Sequence, residues 1–441
     1  MKHLLNFAEF LAQASVPDDV LNKTALILCD SIGAIVGGAE ELEVRSLTEK
    51  FSSRSHGPAI IIGSKSLTDI KVAAFLNGTA GTTLEMDEGN QFCKGHPAMH
   101  VIPAALAEAS VQKVSGKKLL TAITLGYEAA ARVGIATSLW PSMHPHGTWG
   151  AIGAAVAVMH LRDANETQIY EVMNIAANLG LTTSRKTMLE GGTVRNVFAG
   201  ISNKMGLIAA DLVQVGYSGD RNGVGHVFGS VASDSFDDSA LSDQLGERWE
   251  VMRNYFKMHS CCRYNHAALD VIEALQVKHP SMPTSEIKKV EVFTYGLAVE
   301  LNDPAPRNVL AAKFSVPFAV ATTLINGSSG VDSFTIDKVG DELITSLASK
   351  VRVFEDKVMS AQLPNKRPAK VKVYLKDERI LEASTETNRG DWADPYGIED
   401  IKSKYHSLTK RSWSLEQSDD VWNAIMRLEK VEDLSELFDA L

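Results

Sequence analysis

Over roughly the first 250 residues, apolar positions recur at helical spacing. "DDVLNKTALILCDSIGAIVGGA" opens on acidic residues that suit a helix N-terminus and closes on glycines. "TDIKVAAFLNGTAGTTLEM", "HVIPAALAEASVQKV", "KLLTAITLGYEAAARVGIA", "TWGAIGAAVAVMHL" and "SNKMGLIAADLVQVGYSG" follow the same rule, the last stopping at Gly216. Small residues are frequent in these segments, so close helix packing in a compact bundle is expected. The texture changes after residue 256. "HAALDVIEALQVKH" is an amphipathic helix, and "IKKVEVFTYG" then alternates with period two, as a half-buried strand does. A helix near "VPFAVATTLING", a strand in "SKVRVFED" and a hairpin in "PAKVKVYLKDERILEAS", turning at Asp377–Glu378, complete an α+β section. Beyond "RGDWADP" the pattern is helical again, and these last helices are expected to rejoin the first section. The prediction is a mainly α fold with an α+β second domain, without repeats or long linkers.

The N-terminal "MKHLLNFAEFLAQASVPDDV" reads as an amphipathic helix rather than a signal peptide. The longest uninterrupted apolar runs, such as "AAVAVMHL", predict no membrane span. The chain has 441 residues, enough for two domains, and a formal net charge of -10 with no long basic run. That argues against nucleic acid and anionic membranes as main partners, while a small anionic substrate in a local cationic pocket remains allowed. Four cysteines, Cys29, Cys93, Cys261 and Cys262, show no disulfide framework. A reduced, cytoplasmic location fits them best.

Chemistry-bearing residues gather in four loops. "FKMHSCCRYNHAALD" carries Lys257, His259, Cys261, Cys262, Arg263 and His266. Adjacent cysteines point apart in regular structure and no second pair exists, so zinc is not expected. Lys257 and Arg263, just before a helix, suit a carboxylate. "LEMDEGNQFCKGHPAMH" crowds Glu85, Asp87 and Glu88 against Lys94, His96 and His100. Here Asp87 could orient a histidine, while Glu88 taken alone reads as part of a solvated acidic loop. "WPSMHPHGTWGAIGAA" sets His144 and His146 before a small-residue helix, whose dipole would favour neutral imidazole. "TSRKTMLEGGTVRNVFAG" places Arg185, Lys186 and Arg195 around a Gly-Gly turn, and arginine suits bidentate carboxylate recognition. No nucleotide or metal motif accompanies them. The combination fits a cofactor-free site that holds a polycarboxylate and moves a proton.

At these loops the sequence resembles the MmgE/PrpD family, which includes 2-methylcitrate dehydratases, cis-aconitate decarboxylases and iminodisuccinate epimerases. "NGTAGTTLEMDEGNQFCKGHPAMHVIPAALAEA" matches an "NG…A…LDFDD…HPS…PA" pattern, with Asp87 and His96 in place. "HPHGTWGAIGAAVAV" matches "HPT…G…GAAAA" and carries His144. "VRNVFAGISNKMGLIAADLVQVGYSG" matches a "KPLH.G.AA" element, with Arg195 where lysine is frequent. "FKMHSCCRYNHAALDVIEAL" matches "K.YP.CC..H..IDA" and carries Lys257, Cys262 and His266. Glu85 stands where the first aspartate of "LDFDD" is usual, and Phe318 lies near a position where some decarboxylases carry tyrosine. The resemblance implies a large all-helical domain built from both chain ends, residues 1–254 and 393–441. It also implies a smaller α+β lid over residues 255–392, a homodimer, and no required metal. The expected catalytic residues are His96, His144, Asp87 and Lys257. Arg195, Arg263, Cys262, His266, His146 and Lys186 are the expected substrate-binding set. The expected activity is that of a hydro-lyase like 2-methylcitrate dehydratase. Epimerisation of a dicarboxylate, decarboxylation of a tricarboxylate and non-catalytic carboxylate binding are the alternatives.

Overall fold

The computed structural model describes residues 2–64 and 66–441. Its helical part is built around the helices Asp18–Ala39, Ile70–Thr83, Pro97–Ala109, Gly116–Ala136, Gly150–Leu161 and Phe198–Gln214. Nearly every side chain of Gly150–Leu161 is buried, because Ala and Gly let neighbours close on all sides. The expected close packing is visible at Gly38, where a Cβ would fall 2.0 Å from the Ala80 carbonyl oxygen of the neighbouring helix. The C-terminal helix Ile398–Thr409 packs on Asp18–Ala39. There Lys404 donates to Asp30 Oδ1 at 2.6 Å and to the Met86 carbonyl at 2.6 Å, tying the chain end to the loop that carries Asp87.

Two of these helices correct the reading that no segment could span a bilayer. Asp18–Ala39 and Gly116–Ala136 are long and apolar enough by length and composition. Glycine, serine and threonine break their apolar runs in sequence without making them polar. Both are mostly buried inside the protein, over 83% and 89% of the apolar stretch.

The α+β section holds a four-stranded sheet in the order Ile380–Thr385, Ala369–Leu375, Ile287–Thr294, Val351–Glu355. The first three strands are antiparallel neighbours, and Val351–Glu355 adds in parallel to Ile287–Thr294. Val292 pairs with Val371 on one side and Val353 on the other. Alternation buries Val290 and Val292 in one apolar cluster with residues of the helices Arg263–Lys278 and Val316–Asn326, as period two requires, and a register shift between Ile287 and Lys289 brings Ile287 into the same cluster. The largest apolar cluster draws on residues 4–256 and 401–441, whereas a second draws on Met188 and residues 261–381.

Candidate active site

Short pairings bring the four loops together. Gly89–Asn90 pairs with Asn254–Tyr255, which sets the Asp87–His96 loop beside the Lys257 stretch. Met143 bridges to Ser184, and Thr183 Oγ1 donates to the carbonyls of His144 and His146 at 2.7 and 2.9 Å. Between these loops lies a cavity of about 340 Å³. His96, His144, His146 and Arg195 line it from the helical part, and Cys262, Arg263, Phe314 and Arg367 from the α+β part. A larger groove of about 780 Å³ elsewhere carries no imidazole in its lining.

His96 is the residue before the helix Pro97–Ala109, whose first position is a proline, a residue suited to that place. Its Nδ1 lies 2.6 Å from the Glu88 carbonyl and 3.1 Å from Asp87 Oδ2. A carbonyl oxygen only accepts, so Nδ1 carries the proton and Nε2 presents a lone pair. Burial is the main cause that lowers the His96 pKa to about 4, with Lys257 adding to it against the pull of Asp87. His96 is therefore a neutral base at neutral pH.

His144 has the opposite polarity. The His146 backbone N–H donates to His144 Nδ1 at 3.0 Å, which places the His144 proton on Nε2. Burial holds both His144 and His146 well below the usual imidazole range, with Arg195 adding to the effect. The expected neutrality is present, but its cause is desolvation more than the helix dipole. His100 supports the floor: its Nδ1 donates to the His96 carbonyl at 2.9 Å and its Nε2 accepts from Gly147 N–H at 3.2 Å. Gly147 makes that contact at φ +87, a conformation that favours glycine. The His146 ring sits among the other three, 4.6 Å from His96, 4.8 Å from His144 and 5.0 Å from His100 between centroids.

Behind His96 runs a buried chain of alternating charge. Arg195 pairs with Glu85, and Lys257 Nζ lies 3.2 Å from Glu85 Oε2 and 3.3 Å from Asp87 Oδ1. Burial alone would raise both carboxyls. Arg195 and Lys257 outweigh it at Glu85, and at Asp87 the His96 ring, where it is protonated, and Lys257 do so, so both stay below the ordinary range and ionised. Glu85 holds φ 55, a region uncommon for residues other than glycine. Glu85, Asp87 and His96 are of metal-ligating types and close enough to share an ion. Their carboxylates already face two cations, which disfavours a third.

Several expected residues stand elsewhere than the sequence suggested. Lys257 is fully buried and does not line the cavity: its charge is spent on Glu85 and Asp87. Arg195 does line it, but it is neutralised by Glu85 and donates to His146 Nε2 at 3.5 Å. Arg263 pairs with Asp391 at 3.2 Å and stacks on Tyr255 at 4.1 Å. Cys262 lines the cavity as a thiol whose pKa burial pushes up to about 11. His266 turns from the cavity, its Nε2 lying 3.2 Å from the Cys261 carbonyl. Lys186 is exposed and absent from the lining, whereas Arg185 lines the cavity and pairs with Glu300 at 2.8 Å. Glu88 is not solvated at all. Its Oε1 accepts the Ala98 N–H at 2.8 Å, and Tyr127 donates to Oε2 at 3.2 Å. The sequence reading passed over Tyr255 and Arg367, which lack a motif of their own.

The MmgE/PrpD N-terminal domain matches residues 2–233, and the MmgE/PrpD C-terminal domain matches residues 259–430. The human cis-aconitate decarboxylase is 25% identical, with 95% of this chain and 90% of that protein aligned. A cis-aconitate decarboxylase-like protein of Aspergillus oryzae is 23% identical over 98% of this chain and 95% of its own length. A cis-aconitate decarboxylase of Aspergillus terreus is 22% identical over 99% and 95%.

Proposed function

This chain belongs to the MmgE/PrpD family, and on that premise we propose that it is a lyase acting on a small di- or tricarboxylic acid. In this reading it removes a proton from a carbon beside a carboxylate and expels water from the neighbouring carbon. The observation that carries the reading is the complementary pair of neutral imidazoles on one cavity. His96 offers a lone pair at Nε2, and His144 offers an N–H at Nε2. His96 takes the proton from carbon, and the bond pair moves toward the adjacent carboxylate. The His144 N–H stabilises the charge that gathers on the carboxylate oxygen. The pair then forms the carbon–carbon double bond as the hydroxyl leaves. The leaving hydroxide gains one proton and His96 releases one, so the net change is loss of water. No step calls for a cofactor.

Decarboxylation is the second reading, and the names of the relatives favour it. It would break a carbon–carboxylate bond, release CO₂ and return a proton to carbon. One experiment separates the readings: proton NMR in D₂O with citrate, 2-methylcitrate, cis-aconitate and iminodisuccinate, together with CO₂ detection. Water elimination predicts an alkene without CO₂ from a hydroxy acid. Loss of CO₂ from cis-aconitate would replace the first reading with the second. Deuterium exchange without net loss would indicate epimerisation. Absence of both exchange and product across the panel would overturn the lyase reading for these substrates.

A further inference from the structure

The cations around the cavity differ in how they are neutralised. Arg195 has Glu85, Arg263 has Asp391, Arg185 has Glu300, and the buried Lys257 behind them has Glu85 and Asp87. Lys94 is exposed to water. Among the described residues, Arg367 has none of these remedies. It is 5% exposed, lines the cavity, and its Nε has no hydrogen-bond partner among the described residues. Its neighbours are the Tyr264 ring at 5.3 Å and the Tyr295 and Tyr255 side chains, none of them a carboxylate. Burial keeps Tyr295 and Tyr255 protonated, so they supply no counter-charge near neutral pH. Arg263 lies close enough to repel it. A buried guanidinium without a counterion is costly, and an anion entering the cavity would relieve that cost.

We propose that Arg367 is a carboxylate anchor of this site. The substrate would then carry a carboxylate for Arg367 besides the one next to the reacting carbon. This deepens the lyase reading and rests on it for the location of the chemistry. The assignment follows from Glu85, whose side chain neutralises Arg195, the cation the sequence singled out for this task. An arginine already paired offers an incoming carboxylate little net attraction. An unpaired one on the opposing part of the chain offers its full charge and a planar fork of donors. Recognition of the second carboxylate therefore falls to the α+β part, and the acid is held between the two parts.

The test is calorimetric and needs no turnover. Wild type and Arg367→Gln are titrated with tricarballylate and with two dicarboxylates that each lack one of its carboxylates, glutarate and 2-methylsuccinate. Removing one partner of a buried charge pair should cost tricarballylate about 30-fold or more in affinity. For whichever dicarboxylate lacks the group that Arg367 binds, variant and wild type should differ by less than about threefold, since distant terms cancel in the cycle. An equal loss for all three ligands, no loss for any, or no binding by wild type would overturn the assignment. Arg367→Lys keeps the charge but loses the fork, and is read by the same cycle if the glutamine variant does not fold. It should lose about tenfold on tricarballylate alone. Binding that passes the cycle without any product would refute the lyase reading while leaving the anchor intact.

Discussion

Glu88 should make the wild-type protein less stable as pH rises, and Glu88→Gln should remove that dependence. Burial raises the Glu88 pKa to about 8 from an ordinary 4.5, and Asp30 and Asp87 add to the rise. Between those two values the folded state binds more protons than the unfolded state. Stability is therefore fully present below about pH 4.5, declines as pH rises, and is lost in full above about pH 8. A shift of this size corresponds to roughly 5 kcal/mol at 1.36 kcal/mol for each pH unit. About 2 kcal/mol of it falls between pH 6 and 8. Glutamine keeps an oxygen to accept the Ala98 N–H and does not titrate. Urea unfolding of both proteins at pH 6 and 8 gives the four free energies. The variant should gain about 2 kcal/mol on wild type between the two pH values. If the difference between the proteins is the same at both, Glu88 is not a buried, proton-bearing group and the reasoning fails.

Three further outcomes follow from the same geometry. With a His96 pKa of about 4, the base is about 97% neutral at pH 5.5, against about 9% for an ordinary imidazole. The acid limb of kcat/KM should therefore lie well below pH 6, and His96→Ala should lower turnover about 10²–10⁴-fold. A limb near 6.5, or normal turnover in the variant, would refute its role as base. Glu85→Gln leaves Arg195 without its carboxylate and should destabilise the protein by about 3–5 kcal/mol in urea. It should also tighten tricarballylate binding, and unchanged binding would show that Glu85 does not screen Arg195. Light scattering should give twice the 47.8 kDa chain mass if the chain pairs as its resemblance implies, and a monomer would overturn that proposal.

The fold was legible because its pattern is local. Helical spacing in the first part, period two in "IKKVEVFTYG" and the turn at Asp377–Glu378 each depend on neighbours in sequence. They correspond to the helices, the strand Ile287–Thr294 and the hairpin of Ala369–Leu375 with Ile380–Thr385. The histidines were legible for a related reason: His96, His144 and His146 stand in loops beside helix starts, where the pattern is punctuated by Gly and Pro. Which charges would be free was not legible. Whether a cation faces substrate or a counterion depends on partners far away in the chain. Glu85 lies 110 residues from Arg195 and 172 from Lys257, and Asp391 lies 128 from Arg263.

That difference explains the errors as well as the successes. Lys257 and Arg263 looked free because nothing near them in sequence is acidic, and Arg195 looked like an anchor because a Gly-Gly turn precedes it. The fold spends all three on Glu85, Asp87 and Asp391. Glu88 looked solvated because it sits in an acidic run, yet it is the buried acceptor at the start of the His96 helix. Arg367 drew no notice because "NKRPAKVKV" reads as an ordinary basic strand edge. Its lack of a counterion appears only when the other cations of the cavity have been matched to theirs. In a buried site the sum of charge types says little about affinity. What an anionic substrate meets is the charge left after internal pairing, and among the buried described residues of this cavity that charge is Arg367's.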